Sequence, residues 1–128
     1  MSFPQRFSGT LTTNGSGAGT LTLPSTNGVN ANGVLLSIRH EADATSPYAD
    51  NFAYTVTTSE TGRTLLAETT SGSAVDFDRI PSLPTQTAAD GTVAATAEDL
   101  AAIANERLII TVASGGDTKV GTWTITIG

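Results

Sequence analysis

Leu108–Gly128, LIITVASGGDTKVGTWTITIG, is the stretch whose reading decides the fold. In its first half Leu108, Ile110 and Val112 share one face, and Ile109 and Thr111 the other. In its second half Trp123, Ile125 and Ile127 face one way, and Thr122, Thr124 and Thr126 the other. Alternation over this length is the period of a strand with one face buried and one face wet. Between the halves, Ser114-Gly115-Gly116-Asp117 supplies residues that accept positive φ, as hairpin loops require. The spacing predicts two strands joined as a closing hairpin at the centre of an all-β fold.

The same period recurs outward from that pair. Arg6–Thr13 sets Phe7, Gly9 and Leu11 against Arg6, Ser8, Thr10 and Thr12, and Gly19–Leu23 sets Leu21 and Leu23 against Thr20 and Thr22. Asn14-Gly15 between them is a strong turn dipeptide, so Arg6–Leu23 is expected to form a first hairpin with its tip at Asn14–Gly17. A breaker-rich loop, Pro24–Gly33, leads to a strand over Val34–His40. Val34, Leu36, Ile38 and His40 are expected on one face of it, and Leu35, Ser37 and Arg39 on the other. After the acidic loop Glu41–Asn51, strands over Phe52–Thr58 and Arg63–Thr69 make a second hairpin, and Val75–Ile80 a sixth strand. Pro81 and Pro84 obstruct continuous pairing in Pro81–Thr96, where Asp90-Gly91 marks a turn and Thr92–Ala95 suits a short strand. Thr96 as N-cap, acids in the first turn, and Leu100, Ile103 and Ala104 along one stripe predict a short helix over Ala97–Asn105. The sum is an antiparallel β-sandwich or jelly roll of about eight strands with one short helix. It is expected to be a single domain over residues 1–128 with a short N-terminal arm, residues 1–5.

Composition narrows the function. With 128 residues the chain can bury roughly two-thirds of its unfolded surface and needs no metal or disulfide to fold. It has no cysteine, hence no thiolate nucleophile and no Cys-based metal site. Charged residues are only 14%, and Thr, Ala, Gly and Ser fill their place, which suits sheet faces clad in hydroxyls. A net charge of -6 with six scattered basic residues opposes any grip on nucleic acid. The opening MSFPQRFSG has no apolar run of signal-peptide length, and no stretch approaches a membrane span, so neither export by a leader nor a membrane is expected.

The search for chemistry returns little. The one histidine, His40, sits at a strand end beside Glu41 and reads as a strand-edge residue more readily than as a catalytic base. No G-x-S-x-G elbow occurs. Asp76 and Asp78 flank Phe77 and share a strand face, but calcium needs six to eight oxygens, so they read as a solvated face. Gly15-Ser16-Gly17-Ala18-Gly19 contains G-x-G-x-G inside a hairpin, with no helix after it to hold a phosphate. No enzyme activity, cofactor or metal is expected. For sugar binding, Trp123 alternates with core residues, which leaves Tyr48, beside Pro47 in the acidic loop, as the aromatic expected to be exposed.

The segments RFSGTLT, GTLTL, LLSIRHEA and TGRTLL and the closing ERLIITVASGGDTKVGTWTITIG resemble small β-sandwich virion proteins of tailed bacteriophages. These include capsid decoration (cement) proteins and minor head or neck components. The resemblance lies in Thr-rich strands, acidic balance and the terminal strand pair, and it carries no site residue across. It implies a non-enzymatic protein of the virion, made in the host bacterial cytoplasm. Such a protein binds the major capsid protein or other virion proteins, often as a homo-oligomer. The surfaces free for such contacts are the sheet edges, the arm with Phe3 and Pro4, and the loops at 24–33, at 41–51 with Tyr48, and at 81–96, where RIPSLPTQT carries Pro81, Leu83 and Pro84. The alternative is a carbohydrate- or host-surface-binding module of a tail fibre.

Overall fold

The computed structural model describes residues 4–26, 28–71, 76–86 and 93–128. The strands are β1 (Gln5–Thr12), β2 (Gly19–Leu23), β3 (Ala31–Ala42), β4 (Ala53–Thr58), β5 (Thr64–Thr69), β6 (Phe77–Arg79), β7 (Ser82–Gln86), β8 (Val93–Leu100), β9 (Ala102–Glu106), β10 (Leu108–Ala113) and β11 (Val120–Ile127). Two antiparallel sheets make a β-sandwich. One has the order β1–β11–β3–β6, with β9 pairing the start of β3, and the other has the order β2–β10–β4–β5. β7 and β8 form a separate two-stranded sheet.

The closing stretch is two strands, as its alternation requires, but they are not a hairpin. β10 pairs with β2 and β4 in one sheet, and β11 with β1 and β3 in the other. Their apolar rows meet across the core: Leu108, Ile110 and Val112 are fully buried, as are Trp123 and Ile125. The expected first hairpin is corrected in the same way, because β1 and β2 also lie in opposite sheets. Alternation names the inward face of a strand and leaves its ladder partner open. Each connection is an arch, and the two arches clasp each other. The Thr13 N–H donates to the Lys119 carbonyl at 2.9 Å, and the Gly115 N–H to the Gly17 carbonyl at 2.9 Å. The Thr13 hydroxyl donates to the Gly116 carbonyl at 2.6 Å. Gly17 has φ +82, and a Cβ there would stand 3.0 Å from the backbone nitrogens of Gly115 and Gly116, so the clasp needs glycine. The hairpin expected from the fourth and fifth strands is present as β4 and β5.

The short helix expected over Ala97–Asn105 is replaced by the end of β8 and all of β9; no helix occurs among the described residues. Ala101 and Ile103 are buried while Ala102 and Ala104 are exposed, a two-residue period that the stripe Leu100, Ile103, Ala104 conceals. β3 extends four residues ahead of the segment paired with β11, and β9 supplies the ladder for Ala31–Val34. Satisfying those backbone groups outweighs the helix preference of a few alanines. The Asn32 side chain accepts the Asn105 N–H at 2.8 Å, and Asn105 takes φ 55, which a helix interior excludes.

The phase expected for β3 also shifts. Leu35 pairs with Ile127 and Ser37 with Thr126, leaving Leu36 as an extra residue in a β-bulge. Leu35, Ile38 and His40 are therefore the buried residues, and Leu36 is half-buried.

Tyr48 is a further correction: it is 2% exposed, not a surface aromatic. Its loop is tied down by Asp43, which accepts the Thr45 and Ser46 N–H groups, and by the Val120 N–H donating to the Ser46 carbonyl. The ring enters a slot left by Gly121, where a Cβ would lie 2.5 Å from Tyr48 Cε2 and 2.6 Å from His40 Nε2. The Tyr48 hydroxyl donates to the Leu11 carbonyl at 2.8 Å and accepts the Trp123 Nε1–H at 3.2 Å. Leu11 and Gly121 are register partners, so the phenol is stitched into the β1–β11 ladder. Around it Trp123, His40 and Phe77 form one row across β11, β3 and β6, and Phe52 and Tyr54 complete the aromatic end of the core.

Candidate functional site

The outer face of the five-stranded sheet carries the candidate site. Register sets its rows. Arg6 lies beside Thr126 and Ser37; Ser8 beside Thr124, Arg39 and Asp78; Thr10 beside Thr122 and Glu41. Strand alternation puts every one of these side chains on the side away from the core. All of them but Thr10 and Thr122 line a depression of about 600 Å³, together with Ile80. Ile80 is 71% exposed, the most exposed large apolar residue among those described.

The polar groups of this face are mostly committed to one another. Arg39 donates Nε–H to Glu41 at 3.1 Å and Nη1–H to Asp78 at 2.8 Å. Glu41 first, and Asp78 with it, raise the Arg39 pKa and hold it as a cation. Ser8 and Thr124 hydroxyls hydrogen-bond at 2.8 Å. Arg6 makes no ion pair among the described residues. The arrangement is flat, hydroxyl-rich and held in place, with no nucleophile beside a base.

A smaller cleft of about 350 Å³ lies at the seam between the sheets, lined by Glu68, Thr70, Asp76, Phe77 and Arg79 among others. The Arg79 Nε–H donates to the Glu68 carboxylate at 3.1 and 3.2 Å, and its guanidinium sits 4.8 Å from the Phe77 ring centre. The Tyr54 hydroxyl donates to Glu68 at 3.1 Å. This network joins β5 of one sheet to β6 of the other and closes the sandwich edge.

The described residues among those singled out in the sequence are spread over several elements. Phe3 lies outside the described residues, and Pro4 is exposed just ahead of β1. Tyr48 and Pro81 are buried. Leu83 and Pro84 lie in β7, opposite Asp99 and Glu98. His40 is 1% exposed, stacked on Tyr48 at 5.3 Å and tilted against Trp123 at 4.7 Å. Asp78 pairs with Arg39, and Asp76 accepts the Ala42 N–H at 2.7 Å. No group of three or more potential metal ligands occurs among the described residues. Arg6, Arg39 and Ile80 are the residues that sequence reasoning passed over. Arg6 and Arg39 fall at outward positions of the alternation, but only the register of three strands brings them onto one surface.

Comparison with known protein families, curated proteins and solved structures finds no match to this chain.

Proposed function

We propose that this chain is a non-enzymatic structural protein of a tailed-phage virion, a capsid decoration or minor head component. It works by docking on the major capsid protein or other virion proteins and on copies of itself. The observation that carries this reading is the outer face of the five-stranded sheet. Its side chains are short hydroxyls, a self-paired Arg–Glu–Asp cluster and Arg6, with an exposed Ile80. Such a face has few flexible side chains to order on contact, so a flat partner can lie against it at low entropic cost. The carbohydrate reading loses its main support with Tyr48 inside the core, because sugar recognition leans on exposed aromatic platforms and the depression is lined by none.

Cosedimentation with capsids tests the proposal. Purified protein is expected to pellet with particles, and to pellet less after Arg39→Ala or Ile80→Asp. Protein that stays in the supernatant with capsids, yet binds a glycan array through Arg39, makes the tail-fibre alternative the correct one.

A further inference from the structure

We infer that the hydroxyl face is self-complementary and that its occupant is a second copy of this chain, packed face to face with the two sets of strands crossing at about a right angle. This rests on the reading of the face as a docking surface, and names the partner.

The argument starts from where register puts the charges. Arg6 stands at one corner, on the edge strand β1 and in the first row. Glu41 and Asp78 stand toward the opposite corner, on β3 and β6, in the third and second rows. There two carboxylates share the single guanidinium of Arg39, so the corner carries an excess negative charge. Arg6, with no ion pair among the described residues, is the excess positive one. Ile80 follows β6 and occupies a third corner, near Ser37 and Thr126.

Strand spacing gives a width of about 14 Å from β1 to β6, and two row steps give about 14 Å along the strands. A nearly square face has a diagonal two-fold axis available. An axis lying in the plane of the face, running from the Ile80 corner to the Thr10 corner, exchanges the other two corners. It brings Arg6 of each copy onto the Glu41–Asp78 corner of the other. It also sets the two Ile80 side chains against each other on the axis. The contact is isologous, closes at two copies and pairs both excess charges. Ser8, Thr124 and Thr126 in between are short enough to let the sheets approach. The area covered is about 400 Å² per copy, below that of a stable complex, so the dimer is weak when free and favoured where copies are held close together.

Sedimentation velocity across protein concentrations up to the millimolar range tests this. Wild-type chain is expected to shift from monomer to dimer. Arg6→Glu and Glu41→Arg, each alone, are expected to weaken self-association by about tenfold or more. An equimolar mixture of the two is expected to regain it, because each contact then pairs opposite charges. Ile80→Asp is expected to abolish association in every combination. A wild-type chain that stays monomeric, or a mixture no better than either variant alone, overturns the inference. Capsid pelleting by a strictly monomeric chain would overturn this pairing while leaving the docking proposal standing. Dimerisation without pelleting supports the pairing and removes the proposal about the capsid.

Discussion

At the scale of single residues, the Tyr48 hydroxyl carries more than its ring suggests. It donates to the Leu11 carbonyl and accepts the Trp123 indole N–H at once, from a side chain that is buried. Tyr48→Phe keeps the ring and strands those groups, so a loss of about 1–3 kcal/mol is expected in urea unfolding. Gly121→Ala pushes a methyl into the Tyr48 and His40 rings, and a loss of about 1–3 kcal/mol is expected there too. The phenol also sets an alkaline limit. Burial raises the Tyr48 pKa from 10.0 to about 12. Above pH 10 the unfolded chain releases a proton that the folded chain keeps, so the contribution of this group is whole below pH 10 and is lost as pH rises to about 12. Stability measured between those limits is expected to fall more steeply for the wild type than for Tyr48→Phe. Equal slopes would mean that the hydroxyl is not shielded.

Elements are joined here by side chains as much as by ladders. Glu106, at the end of β9, accepts the Glu60 and Thr61 N–H groups and the Thr61 hydroxyl, which fixes the β4–β5 turn to the end of the other sheet. The Thr61 backbone bond is the main cause that lowers its pKa from 4.5. A lowered carboxylate pKa contributes stability that is present above the unfolded value and lost as pH falls through the folded one. Glu106→Gln is therefore expected to unfold at lower urea concentration than wild type at pH 7, with the gap closing below pH 4.5; a gap that persists in acid would mean that the charge is not what holds the turn. β7 and β8 pair with each other in a sheet of their own, and Ser82 and Leu100 are register partners at one end of it. A Gly-Ser linker of about three residues between Pro81 and Ala101 is thus expected to leave the sandwich folded, at a cost below about 1 kcal/mol by thermal or urea unfolding. A larger loss would make the pair part of the core. These elements also mark how far the sequence could be read. Alternation exposed β1, β2, β4, β5, β10 and β11 because one face of each is dry. It was blind to pairing, since an arch and a hairpin bury the same residues. It failed at β9, where alanines fit either period and the deciding force is the unpaired start of β3. Gly121, an inward glycine in VGTWTITI, was the legible trace of Tyr48: a missing side chain in a core row signals that another group fills it.

On the scale of the whole molecule, the two arches make the fold non-local. β1 and β11 pair from Gln5↔Ile127 to Thr12↔Val120, so the first and last strands of the chain are neighbours. Among the described residues, no sequence-adjacent strands outside β4–β5 and β7–β8 pair with each other. Neither large sheet has a dry face until the other covers it, so the two are expected to form together. Trp123, the only tryptophan, lies fully buried between them and reports their packing, while far-UV circular dichroism reports the ladders. The two signals are expected to trace one urea transition, as a single cooperative unit requires. Refolding after dilution is expected to place its main phase in the millisecond-to-second range, because loop closure across nearly the whole chain comes before the contacts that repay it. Loss of the Trp123 signal at a lower urea concentration than the circular dichroism would mean that the sheets part while each keeps its strands. The sandwich would then be two units pressed together and not one.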